Sequence, residues 1–352
     1  MANDPAVPLT LAATPDELTS RIFAWRRGFD ALHLIDLGER LGLFEALAGT
    51  PGMSVDELAS RLGLHAPYVK VWCMTACSLA LLQADQVGRL SLAPHVDAVL
   101  ADPRHPRNLC GYVRLGTQFA TDDYRFAVDA FRSGATVPFQ GRSPAFAESV
   151  TRALAGVNLM VARKILPSIA GLAERLNAGA SLLEVGCGSG ALQLQLARAF
   201  PDARCTGIDI DPTGLAAARA AVAAAGLGQR VSILEGDVGS VVDEGSFDAV
   251  LMVEVLHEIA PAIRPQVVAG CARALAPGGW LVIVDETYPA DWADARAPEF
   301  RFPLQTGLEE LMWGNVVPTR EVQEGLLRQA GFTGPIERSI FGEGFTLLVT
   351  QR

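Results

Sequence analysis

A single histidine, His257, stands in the C-terminal half of the chain, within Glu254-Val-Leu-His257-Glu-Ile. It follows the apolar run 247–253, which predicts a buried strand. The carboxyl end of a strand is where open α/β sheets bind ligands. An imidazole titrating near ~6.5 can take a proton from a hydroxyl at neutral pH, although a buried structural histidine is the other reading of the same residue. Upstream, Glu184-Val-Gly186-Cys-Gly188-Ser-Gly190 carries three glycines at alternate positions. Backbone without a Cβ lets a ligand approach closely, and the first turn of the following helix offers free N–H groups. A nucleotide pyrophosphate also suits such a turn, but a dinucleotide site usually reads G-x-G-x-x-G, and here the third glycine comes one position early. Asp209 lies twenty-three residues after Gly186, and Asp237 follows in Glu235-Gly-Asp237-Val238. Each stands after its own strand: the first can accept from both hydroxyls of a ribose, the second from an adenine amine.

Positioning these groups requires a sheet. From residue 177 the pattern alternates: strands over 181–185, 203–210, 231–234, 247–253 and 279–284, and helices over 191–199, 212–225 and 261–275. Continuous apolar strands separated by helices predict a doubly wound, Rossmann-like α/β sheet, parallel and covered on both faces. A helix over 319–330, opened by Thr319, and two strands about Gly342-Glu-Gly344 complete the chain, the hairpin adding an antiparallel edge. The N-terminal part reads as helical. Residues 29–47 show helical apolar spacing interrupted at Gly42, and Ser54 with Glu57 forms a capping box for a helix running to Arg61. A turn over 63–67, a helix over 68–82 and a hairpin over 82–92 about Gly88 complete a winged-helix order. Its last helix carries one Lys, no Arg, and Val71, Trp72, Met74, Leu79 and Leu81. A helix that reads DNA needs donors for phosphates and base edges, so this module is expected to be an all-helical, winged-helix-like dimerisation domain. The expected domains are 1–105, a helical linker and substrate lid over 106–176, and the sheet domain over 177–352.

The bulk composition agrees. The chain has 352 residues, 50% of them hydrophobic and 19% charged, with 29 basic against 39 acidic side chains. That length predicts at least two domains, and the apolar fraction excludes extensive disorder. A net charge of −10 argues against nucleic acid as a partner. Six scattered cysteines lack the paired spacing of a structural zinc site and read as reduced thiols. The opening residues place an acid and a proline where a secretory leader has a basic then an apolar region, and the apolar stretch 71–84 is shorter than the ~20 residues that span a bilayer. A cytoplasmic protein that is not membrane-embedded is expected.

The motif set resembles that of the class I S-adenosylmethionine-dependent methyltransferases. Glu-Val-Gly-Cys-Gly-Ser-Gly (184–190), Asp209, Glu-Gly-Asp-Val (235–238), Phe-Asp-Ala-Val (247–250) and Ala-Pro-Gly-Gly (276–279) follow one another in the family's order. The resemblance implies S-adenosyl-L-methionine as cofactor, with Glu184, Gly186 and Gly188 around its methionine part, Asp209 on the ribose, and Asp237 with Val238 at the adenine. Leu-His-Glu-Ile resembles the Leu-His-Asp-Trp of small-molecule O-methyltransferases that carry an N-terminal winged-helix dimerisation domain, with Ile259 standing where plant members have Trp. That branch implies a homodimer, His257 as general base and Glu286 as the acid that orients it. By the same resemblance Trp313 and Asn315 line the acceptor pocket as a polar-aromatic pair. The helical stretch 110–139 is expected to roof that pocket with Tyr112, Phe119 and Phe139. No metal is expected for hydroxyl methylation. C- or N-methylation on the same scaffold, metal-assisted on an α-keto acid through His257 with Glu309 or Glu310, is the alternative, and a cofactor-sensing winged-helix regulator is a third.

Overall fold

The computed structural model describes residues 14–139 and 141–352, and the opening stretch read for a secretory leader lies outside them. The chain divides into two compact units, with the border after Thr117. Residues 106–117 thus group with the first unit and residues 118–176 with the second.

The first unit is mostly helical. Helix α1 (Pro15–Arg40) opens on a capping box between Thr14 and Glu17. Gly42, at φ +71°, ends that run and admits α2 (Leu43–Gly49), so the interruption in the apolar spacing is a real break. The Ser54–Glu57 box caps α3 (Val55–Leu62), and α4 (Ala66–Ser78) follows the Gly63 turn. Strands β1 (Leu82–Ala84) and β2 (Leu90–Leu92) pair antiparallel. Leu34, Phe44, Leu47, Leu58 and Trp72 form the core, where the Trp72 indole donates to the Leu34 carbonyl at 2.9 Å. A short helix, α5 (Cys110–Arg114), packs on α1.

The second unit begins with α6 (Thr121–Ser133), α7 (Pro144–Ala153), α8 (Ala155–Met160), α9 (Leu166–Ser168) and α10 (Leu172–Asn177). The expected roof over 110–139 is thus helical only to Ser133. Next come β3 (Ser181–Val185), α11 (Ala191–Ala199), β4 (Arg204–Asp209), α12 (Pro212–Ala224), β5 (Val231–Glu235), α13 (Val238–Val241), β6 (Phe247–Val253), α14 (Arg264–Ala274) and β7 (Leu275–Asp285). The chain closes with α15 (Arg301–Trp313), α16 (Arg320–Gln329), β8 (Glu337–Phe341) and β9 (Phe345–Gln351). The sheet order is β5-β4-β3-β6-β7-β9-β8, parallel from β3 to β7 and antiparallel at β9 and β8.

Strand alternation builds two cores on this sheet. Leu182, Leu251 and Val282 pack with Leu166, Leu172 and Leu196 on one face, while Leu183, Val250 and Leu281 pack with Val268, Leu326 and Leu327 on the other. With both faces covered, ligands are left the carboxyl edge. There Glu184, Asp209, Glu254, His257 and Asp285 stand at or just beyond the ends of successive parallel strands. No helix among the described residues is long and apolar enough to cross a membrane.

Candidate active site

The glycine turn is held from below. Gly186 and Cys187 both donate backbone N–H groups to the Ile208 carbonyl, at 2.8 and 3.0 Å. Gly186 sits at φ +74°, and a Cβ there would lie 2.4 Å from a Val255 methyl. Gly188, at φ +49°, differs: a Cβ there would meet nothing within 4 Å. Backbone open on one side and stripped of side chain is the cradle a ligand needs. Asp209 lies beneath it, one oxygen accepting from Gly188 N at 2.7 Å and the other from Asp211 N at 2.9 Å. Each oxygen keeps acceptor capacity for a ribose hydroxyl. Glu184 is buried, accepts from the Gln193 amide at 2.8 Å, and is pushed up to about 8 by burial. These groups fit a cationic, ribose-bearing cofactor.

Asp237 and Val238 are engaged locally. The exposed Asp237 carboxylate caps α13, accepting from Gly239 N at 2.8 Å and the Ser240 hydroxyl at 2.9 Å, while the Val238 side chain is buried in the core.

At the end of β6 the chain turns sharply. Glu254 takes a left-handed conformation, φ +56°, that costs a non-glycine residue about 1–3 kcal/mol. The turn carries Leu256 and His257 across the end of β7. Asp285 accepts there from Leu256 N at 2.7 Å and His257 N at 3.3 Å on one oxygen, and from Glu286 N at 2.7 Å on the other. The second oxygen also lies 2.8 Å from His257 Nδ1. A carboxylate only accepts, so Nδ1 keeps its proton in the neutral ring and Nε2 is the atom that gains and loses one. Arg264 supports the loop from behind, donating to the carbonyls of Ile259, His257 and Val316.

The acid on the imidazole is therefore Asp285 and not the expected Glu286. Strand parity is the reason: adjacent residues point to opposite faces, and Asp285 continues the Leu281–Ile283 side, where Leu256 also packs. Glu286 turns the other way and accepts from the Thr306 hydroxyl at 2.9 Å. Burial raises it to about 7. On the far side of the ring Glu310, from α15, stands 3.6 Å from Nε2 and accepts from the Asn315 amide at 2.8 Å. Burial pulls the imidazole pKa down, but the Asp285, Glu310 and Glu254 carboxylates outweigh it and hold His257 well above its usual range.

Glu254, His257 and Asp285 bring one donor atom each within 4.8 Å of one another, a spacing that can hold a metal. The donor chemistry disfavours it. Asp285 already receives three backbone N–H groups and an imidazole, and a cation would have to displace one of them.

Trp313 and Asn315, expected as a pair, go different ways because Gly314, at φ +94°, ends α15 between them. Asn315 turns to Glu310, and the Trp313 indole donates to Asp123 at 2.8 Å. Phe119, Phe139 and Trp313 do come together, around two residues that sequence reasoning missed. Phe146 stacks edge-on against all three, and Arg142 lies 4.1 Å over the Phe146 ring while forking onto Asp123 at 2.7 and 3.0 Å. Tyr112 belongs to the first unit and is 38% exposed.

A family model described as a methyltransferase domain matches residues 182–279. The chain is 29% identical over 252 residues to the 3-hydroxy-5-methyl-1-naphthoate 3-O-methyltransferase of Streptomyces sahachiroi, covering 69% of this chain and 70% of that one. It is 31% identical over 188 residues to the carboxy-S-adenosyl-L-methionine synthase of Chromohalobacter salexigens, covering 48% of this chain and 68% of that one. Among solved structures, the pyocyanin biosynthetic protein PhzM superposes with a TM-score of 0.75 over 95% of this chain and 99% of its own, at 21% identity. With the glycine cradle, the ribose acid and the sheet order in place, the chain belongs to the S-adenosylmethionine-dependent methyltransferases.

Proposed function

We propose that the protein methylates a hydroxyl of a small acceptor, with His257 as general base and Asp285 as the residue that positions it. The observation that carries this reading is the Nδ1–Asp285 contact of 2.8 Å, which directs the lone pair of Nε2 away from the acid. The cofactor, when bound, supplies the methyl carbon and takes the electron pair of the breaking C–S bond onto sulfur. The acceptor oxygen forms the new C–O bond as its proton passes to Nε2. Asp285 then stabilises the imidazolium. Alignment of oxygen and methyl by the surrounding walls is worth up to about 7–11 kcal/mol. Glu184, Gly186, Gly188 and Asp209 hold the cofactor, with Asp237 and Val238 at its adenine end. The naphthoate enzyme among the relatives acts on a hydroxyl, which supports the oxygen reading. The test is His257→Ala: cofactor affinity stays within a few-fold while methyl transfer falls by about 10²–10⁴. Unchanged turnover would remove His257 from the mechanism.

We further infer a homodimer through the first unit. Helix α1 exposes Leu18, Ile22, Phe23, Trp25 and Phe29, and α4 exposes Tyr68, Val71 and Met74. A helix carrying large apolar groups into water calls for a partner surface.

A further inference from the structure

We propose that Asp123 is a positioning residue of the methyl transfer, clamping α15 to α6 through the Trp313 indole and so setting where Glu310 stands against His257. The inference rests on the reading of His257 as the base. Helix α15 has two working faces. Thr306 and Glu310, four residues apart, meet the site: the Thr306 hydroxyl donates to Glu286 at 2.9 Å, and Glu310 lies 3.6 Å from Nε2 of His257. Glu309 and Trp313, also four apart and about 100° round the axis, meet two consecutive residues of α6. The Tyr124 hydroxyl donates to Glu309, and the Trp313 indole donates to Asp123 at 2.8 Å. Any turn of α15 that carries Glu310 away from the imidazole must therefore break its hold on α6.

Asp123 is itself fixed. It is buried, and Arg142 forks onto both of its oxygens at 2.7 and 3.0 Å, which leaves the carboxylate one orientation. The oxygen with the shorter Arg142 bond is the one that takes the indole N–H. Next to Trp313, the Met312 carbonyl accepts from Val137 N at 2.7 Å. Past Gly314 the chain returns to the base: Asn315 donates to the Glu310 carboxylate at 2.8 Å, and Val316 N donates to the His257 carbonyl at 3.4 Å. The stretch 310–316 is thus pinned to Asp123 in its middle and to His257 at both ends. The charged and titratable groups around the imidazole are Asp285, Glu254, Glu258, Glu286 and Glu310, with Arg264 behind the loop. Only Glu310 belongs to α15, and Glu286 is tied to that helix through Thr306. Releasing the end of α15 should act on the ring through Glu310, whose carboxylate favours the charged imidazole.

The test follows the ring itself, by heteronuclear NMR of the full-length, cofactor-free protein labelled at histidine, the His257 signal being the one lost in His257→Ala. Trp313→Phe keeps an aromatic ring against Phe139 and Phe146 and removes the donor to Asp123. The His257 midpoint should fall by about 0.5 or more on the pH scale in Trp313→Phe and in Asp123→Ala, and at least as far in Glu310→Gln. Trp313→Phe added to Glu310→Gln should move it no further. An unchanged midpoint in Trp313→Phe, whatever its Tm, makes the contact one of packing alone and overturns the proposal, as does a shift that persists in the Glu310→Gln background. Trp313→Phe decides alone if Asp123→Ala does not fold. The titration does not use the reaction, so it can fail while methyl transfer still depends on His257. Methyl transfer that survives His257→Ala overturns the parent reading, and the place of Asp123 in the reaction with it.

Discussion

Asp285 Oδ1 lies 2.8 Å from Nδ1 of His257, and the same carboxylate receives the backbone N–H groups of Leu256, His257 and Glu286. One side chain thus fixes both the loop that carries His257 and the tautomer of its neutral ring. Asp285→Asn keeps the shape but alters the partner of Nδ1, so kcat should fall by about 10² or more while cofactor affinity changes little. Stopped assays beside a cofactor titration check it. Equal loss of both would mean that Asp285 only holds the loop.

The Asp285, Glu310 and Glu254 carboxylates that raise His257 also set the pH dependence expected of the proposed transfer. His257 is held above its ordinary range and must lose its Nδ1/Nε2 proton pair's second member before Nε2 can accept from a hydroxyl. The rate should therefore rise with pH through a value above ~6.5. Glu310→Gln takes away one of the charges that raise the imidazole, so the rising limb should move to lower pH. A limb that stays in place in this variant would show that Glu310 does not act on the ring.

Folding stability should also depend on pH, in a direction the acids dictate. Burial pushes Glu184 up to about 8 and Glu286 to about 7. In the unfolded chain both ionise near ~4.3, so between that pH and their folded values the folded protein holds protons that the unfolded one has lost. His257, raised likewise, adds to the folded state below its own pKa and stops doing so above it. Stability of the cofactor-free protein should then fall as pH rises from about 5 to about 8, and Glu184→Gln should flatten the slope. Thermal melts across that range decide the matter; a Tm that climbs with pH contradicts it.

What the sequence could reveal was local. The Thr14–Glu17 and Ser54–Glu57 boxes, the break at Gly42, the glycine turn and the βαβ rhythm each depend on residues a few positions apart. Asp285 against Glu286 was legible in principle, since the parity of Leu281 and Ile283 fixes which of two neighbouring acids meets Leu256. Glu310 was read beside His257 only as a metal ligand, and Arg142 was not read at all. Their places arise when α15 packs against His257 and when Arg142 meets Trp313, contacts between residues far apart in the chain.

The two glycines of the 186–190 turn, where we place the cofactor, should fail for different reasons. Gly186→Ala drives a Cβ to 2.4 Å from Val255 at a positive φ, so it should destabilise the fold by roughly 1–3 kcal/mol. Gly188→Ala meets open space in the protein, leaving about 1–2 kcal/mol of left-handed strain, but its methyl enters the cradle. It should therefore lose cofactor affinity far out of proportion to its change in Tm. Calorimetry with S-adenosylhomocysteine beside thermal melts separates the two, and full affinity in Gly188→Ala would move the cofactor away from that backbone.

The α1 surface gives the last expectation. Phe23 is 61% and Trp25 62% exposed, on a helix whose first four turns leave most side chains in water. Covering each such ring is worth about 1.5–3 kcal/mol, enough for a few of them to hold two copies together. Sedimentation should find a dimer at micromolar concentration. Phe23→Asp combined with Trp25→Asp should weaken it by at least roughly 100-fold while the fold persists, because neither ring belongs to the Leu34–Phe44–Trp72 core. A wild-type protein that sediments as a monomer would overturn the dimer, and a double variant that remains dimeric would shift the interface to the exposed Tyr68, Val71 and Met74 of α4 or away from the first unit.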